Sequence, residues 1–167
     1  MRLVVVALLS WLLAGCGLQN IKIYDGPDRP SSEHSTLSSL GVYREIRLAL
    51  QVVAVNGVPV NTTTAASFYL LPGTHRVTVR ARKDMKSESG SRGFAVSFKE
   101  ATLDAILEAK PGHTYIPAAL IQDDTIRLLF DDKGTAFPQE CLPLFVEVNT
   151  GGNPGNLVHR DGRKCDI

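Results

Sequence analysis

An excess of charge of either sign is the first thing missing from this chain, whose 167 residues hold 18 Lys and Arg against 17 Asp and Glu. That balance argues against a nucleic-acid partner, which usually needs a clear basic surplus. Cysteine is scarce, with only Cys16, Cys141 and Cys165, and their spacing excludes a CxxC redox or zinc motif. No HExxH, GxSxG, P-loop or SxxK sequence occurs, so the common local signatures of metallopeptidases, hydrolases and nucleotide enzymes are absent. Ser67, His75, His113 and several aspartates could still meet from distant positions. Such residues occur in almost any domain, however, and the chain is expected to be non-catalytic, with no cofactor and no resident metal.

The N-terminus holds one positive charge, Arg2, followed by an apolar run over residues 3–13 broken only by Ser10. That run is shorter than the roughly 17–25 residues of a membrane-spanning helix and has the plan of an export signal. Its last residues, Leu13-Ala14-Gly15-Cys16, resemble the lipobox of bacterial lipoproteins. The resemblance implies cleavage after residue 15, a diacylglyceryl thioether on Cys16 and a third acyl chain on its freed amine. Each buried CH₂ contributes about 0.8 kcal/mol, so three chains make a stable anchor where one would not. Gly17 and Leu18 follow the cysteine, without the aspartate linked to inner-membrane retention, which by that analogy favours the outer membrane with the body facing the periplasm. With Cys16 lipidated in an oxidising compartment, Cys141 and Cys165 are the expected disulfide. In the chain-entropy model such a link stabilises by about 3 kcal/mol.

Past the leader, residues 16–42 are rich in Gly, Pro, Ser and charge. They read as a lipidated tether followed by a short helix capped by Ser31 or Ser32 and running to Leu40. A period of two then sets in. Ile46, Leu48, Leu50 and Val52 alternate with polar or small residues, and Asn56-Gly57 between β-branched residues signals a hairpin. Pro72-Gly73 and Pro111-Gly112 look like two further hairpin turns, the first suited to type II. Residues 83–92 read as an exposed loop, and Phe94, Val96 and Phe98 begin another alternating run. Residues 102–109 fit a strand, with a helix as the alternative because Leu103, Ile106 and Leu107 share a helical face. Apolar runs over 113–121 and 125–130 complete a mainly β domain over residues 43–134, a single antiparallel sandwich, with a disulfide-stapled extension over 135–167.

Three constellations invite chemistry. His75 and His113 each follow a Pro-Gly pair, which suggests metal binding, but two histidines without a third ligand define no site and a structural role is favoured. Asp123-Asp124 and Asp131-Asp132 suggest calcium, yet a strand between the pairs keeps them roughly 20 Å apart, so solvated turn carboxylates are expected. Arg76, Arg80 and Arg82 share one strand face and form the candidate surface for an anion or partner. The competing expectation is a solvated face whose charges pair with neighbours such as Asp104 or Glu108.

Val55-Asn56-Gly57, then the stretch Leu71-Pro72-Gly73-Thr74-His75-Arg76-Val77, then Gly112-His113-Thr114-Tyr115 resemble the DG, LPPGxH and GHTY pattern of small proteobacterial lipoproteins. They also look like PEGA-type β-sandwich repeats, over residues 46–134. The stretch from Tyr24 to Pro30 is similar to the proline-containing leader after the lipidated cysteine in those lipoproteins. The chain departs from the pattern at Asn56, where Asp is usual, and in its extension after Gly134. The resemblance implies an Ig-like, transthyretin-like or PEGA-like fold and a structural or partner-binding role, with the membrane reached through the lipid and an envelope protein as partner. The alternatives are an envelope-acting hydrolase and a binder of a small apolar or anionic ligand.

Overall fold

The computed structural model describes residues 19–43, 48–62, 65–83, 100–122 and 125–142. Ten strands run through them: β1 (Gln19–Lys22), β2 (Ser35–Ser38), β3 (Leu40–Tyr43), β4 (Leu48–Val55), β5 (Val58–Pro59), β6 (Ala65–Leu70), β7 (Gly73–Lys83), β8 (Glu100–Ala109), β9 (Thr114–Gln122) and β10 (Thr125–Asp132). One sheet has the order β1-β6-β2-β9-β10, and the other has β3-β4-β7-β8 with β5 on β4. Their facing sides share one core, with Leu37, Phe68, Leu70 and Tyr115 from the first sheet and Leu50, Val52, Val77 and Val79 from the second. The mainly β sandwich expected from the alternating pattern is therefore present, but one of its sheets is mixed. β1 runs parallel to β6, and β2 parallel to β9.

Mixed direction follows from how the chain changes layers. Pro72-Gly73 and Pro111-Gly112 do not close hairpins as expected. The first carries the chain from β6 in one sheet to β7 in the other, and the second returns it from β8 to β9. Both glycines hold positive φ, 133° and 78°, which suits an abrupt change of direction. Asn56-Gly57 does close a hairpin, between β4 and β5, with φ of 52° and 80° as a type I′ turn requires. Residues 102–109 fall in β8, which pairs with β7 along its length, and this decides against the helix.

The expected helix ending at Leu40 is absent, and there is no α-helix among the described residues. Residues 31–33 form a turn, held by the Glu33 N–H bonding the Pro30 carbonyl at 2.9 Å, and β2 follows directly. A helix of two turns gains little alone, whereas β2 lies between β6 and β9 with all four residues buried. The tether likewise contains structure, since β1 adds to β6 from Gln19 onward. The run beginning at Phe94 and the loop after Lys83 lie outside the described residues.

Two local devices fit the strands to the core. Register shifts between Val52 and Ala54 where β4 meets β7, so Val52 and Val55, three positions apart, both reach full burial. Regular pleating would turn one of them outward. At Ser39 the chain leaves one sheet for the other. Its N–H bonds the Ala66 carbonyl of β6 at 3.1 Å, and its carbonyl accepts from Val52 of β4 at 2.9 Å. Two residues later, a Cβ built on Gly41 would sit 1.8 Å from the Pro117 carbonyl oxygen of β9. Backbone meets backbone there, so no side chain fits. Gly41→Ala is expected to destabilise the fold by about 3 kcal/mol, the upper part of the usual overpacking cost. Denaturant titration should show a lower midpoint at unchanged slope, and an unaltered midpoint would refute the contact.

Candidate functional site

β7 alternates strictly, with Val77, Val79 and Ala81 in the core and Arg76, Arg80 and Arg82 exposed on the outside. The three arginines do share a face, as their spacing predicts. β8 lays acids beside them: register sets Arg82 opposite Glu100, Thr78 opposite Asp104 and Thr74 opposite Glu108. Arg80 Nε lies 3.2 Å from Glu100 Oε1, the Thr78 hydroxyl donates to Asp104 at 2.6 Å, and Thr74 donates to both Glu108 oxygens at 2.9 and 3.0 Å. The face is thus a ribbon of alternating charge, with Ile106, 55% exposed, opposite Arg76. Exposed pairs of this kind add little stability, but they divide the field that an anion would feel.

The end of the sandwich where the chain crosses between sheets gathers His75, His113 and Asp132. His75 Nε2 lies 2.7 Å from the Leu71 carbonyl, which can only accept, and Nδ1 lies 3.0 Å from Asn56 Nδ2. The Asn56 oxygen is taken by the Arg76 N–H at 3.0 Å, which turns its NH₂ toward the ring. His75 is therefore fixed in the Nε2–H tautomer with both nitrogens engaged, tying the β4–β5 turn to the start of β7. His113 Nδ1 donates to Asp132 Oδ1 at 2.8 Å, and the same oxygen accepts the Gly134 N–H at 2.9 Å. Lys110 Nζ stands 3.7 Å from the other oxygen. Burial alone would raise the Asp132 carboxyl, but the His113 hydrogen bond, the Gly134 amide and the charges of His113 and Lys110 outweigh it and hold the group below the ordinary carboxylate range.

These contacts separate the groups that a triad would need. Ser67 donates to Asn20 at 2.8 Å, His75 serves Leu71 and Asn56, and His113 serves Asp132. Among the described residues no group of three or more His, Cys, Asp or Glu could hold a metal. Asp131 pairs with Lys133 at 2.6 Å while Asp132 binds His113, and Asp123-Asp124 lie outside the described residues. Cys141 is buried and disulfide-bonded, with its partner outside the described residues, where Cys16 and Cys165 both fall.

Sequence reasoning missed the His113 and Asp132 pair, although hairpin arithmetic contains it. Pairing Gln122 with Thr125 sets Tyr115 opposite Asp132, which leaves His113 just beyond the end of the ladder. No protein-family model, curated protein or solved structure matches this chain. Because the folded Asp132 carboxyl is lowered, its stabilising contribution is fully present above about pH 4, and it disappears as pH falls through the lowered value. Asp132→Asn should cost about 0.5–1 kcal/mol at neutral pH, as for a half-exposed pair. Wild type and variant should then converge in acid, whereas equal stability at pH 7 would show that the pair contributes nothing.

Proposed function

We propose that the mature chain is a lipid-anchored, non-catalytic protein of the bacterial outer membrane, facing the periplasm, that holds a partner close to the bilayer. The observation that carries this reading is the start of β1 at Gln19, because only residues 17 and 18 separate the lipobox cysteine from the first strand. Three residue steps span at most about 11 Å, so a lipid on Cys16 keeps the sandwich against the headgroups rather than on a stalk. A partner held by such a body is confined to the membrane surface.

The mixed-charge ribbon of β7 and β8 supports a protein partner over a simple anion, since acids alternate there with Arg76, Arg80 and Arg82. The PEGA-like resemblance belongs to the same proposal, supported by the shared hairpin at Asn56-Gly57 and by the sandwich architecture. An envelope hydrolase has less support, because Ser67, His75 and His113 are engaged in separate local hydrogen bonds. Linkage of Cys141 to Cys165 completes the proposal. It would tie the C-terminal extension to the segment that follows β10.

Two measurements test these assignments. Cys16→Ser in the full-length chain should leave the leader uncleaved or release the protein from the membrane fraction, whereas normal processing and attachment would overturn the anchor. Digestion without reduction should yield a peptide pair joined through Cys141 and Cys165 that gains two hydrogens on reduction. A free thiol at Cys165 would refute that staple.

A further inference from the structure

β10 has β9 on one flank and, among the described residues, no strand on the other. Which of its backbone groups face the open side follows from Pro117, which stands opposite Phe130. Proline has no N–H, and the Pro117 carbonyl oxygen points toward Gly41, away from β10. N–H and C=O of a residue in an antiparallel strand leave on the same side, alternating along the chain. Phe130 and Leu128 therefore direct theirs to the open edge, while Arg127, Leu129 and Asp131 direct theirs to β9. The outward side chains form the series Arg127, Leu129, Asp131, with Leu129 43% exposed beside Leu120, also 43% exposed.

We propose that this edge binds a second copy of the chain, β10 against β10, antiparallel about a two-fold axis through Leu129. In that register Leu129 meets the partner's Leu129, and Arg127 meets the partner's Asp131, joining the Lys133 that already lies 2.6 Å from that exposed carboxylate, as Asp131 in turn meets the partner's Arg127. These are the non-hydrogen-bonded positions, where opposed side chains approach most closely. Leu128 and the partner's Phe130 stand at hydrogen-bonded positions and exchange their open N–H and C=O groups. The contact is isologous and closed. A shift of two residues sets either Arg127 or Asp131 against Leu129, according to its direction, and breaks both ion pairs, so charge selects the register.

β8, which ends the other sheet among the described residues, is a contrasting case. Glu100, Asp104 and Glu108 lie on its outward face, and antiparallel self-pairing about Asp104 opposes acid to acid at all three positions. Charge guards that edge against self-association, whereas on β10 the charges are complementary to their own two-fold image. The pairing does not depend on lipidation of Cys16 and is tested separately from it.

The full-length chain in detergent micelles should give the mass of a dimer by native mass spectrometry at micromolar concentration. Arg127→Asp and Asp131→Arg should each weaken dimerisation about tenfold or more by opposing like charges. The double variant R127D/D131R should restore it, because both strands then carry reversed but complementary charges. Leu129→Cys should form an intermolecular disulfide on mild oxidation, and this variant reports on the pairing even if a charge variant folds poorly. A monomeric wild-type chain, a double variant no better than the single ones, or a dimer that does not cross-link at Leu129→Cys would each overturn the proposal.

Discussion

The close approach of two backbones at Gly41 and Pro117 is the constraint on which the architecture depends. Ser39 bonds to both sheets within one residue, and the chain can change layers there only if the next turn of pleat carries no side chain. That corner fixes the neighbours of β2 in the first sheet and of β3 in the second, and so determines where β9 must run. The inward rows of both sheets then form a single core that fills from Leu37 and Phe68 on one side and Leu50 and Val79 on the other. Close packing of this kind makes the corner unforgiving of added volume.

Much of the fold was legible in the chain. The period of two identifies β4, β7 and β8, because burial on one face rewards alternation, an apolar run of strand length marks β10, and Asn56-Gly57 marks a hairpin because both positions need positive φ. The Pro-Gly pairs were misleading, since a turn signal reports a change of direction and not which layer receives the next strand. Only the tertiary partners of β6 and β7 show that they lie in different sheets. Residues 31–40 failed as a helix for a related reason. Their short caps and mixed polarity are compatible with several local structures, and two flanking strands settled the competition in favour of β2.

The candidate site was legible in its parts more than in its pairings. Arg76, Arg80 and Arg82 on one face follow from spacing alone, but the acids beside them come from β8, and their register depends on long-range pairing. His75 and His113 attracted a metal reading because both follow Pro-Gly, and their actual partners, Asn56 with Leu71 and Asp132, come from distant turns and strand ends. Each imidazole thus fastens one connection to another at the crossing end of the sandwich. The polar residues there behave as clasps between loops.

The shortness of β1 has a mechanical consequence. A tug on the chain from its N-terminal side runs along the strand axis, and the parallel ladder to β6 loads all of its hydrogen bonds in shear at once. Four residues, with Asn20 clasping Tyr69 and Ser67 and the Ile23 N–H held by the Tyr69 carbonyl, carry that force and pass it directly to β6. Beyond them, the stretch through Tyr24 and Asp28 is closed by exposed contacts, Lys22 with the Gly26 carbonyl and Asp28 and the Arg29 N–H with the Tyr24 hydroxyl, so this end of the molecule can yield under strain while the body of the sandwich stays whole.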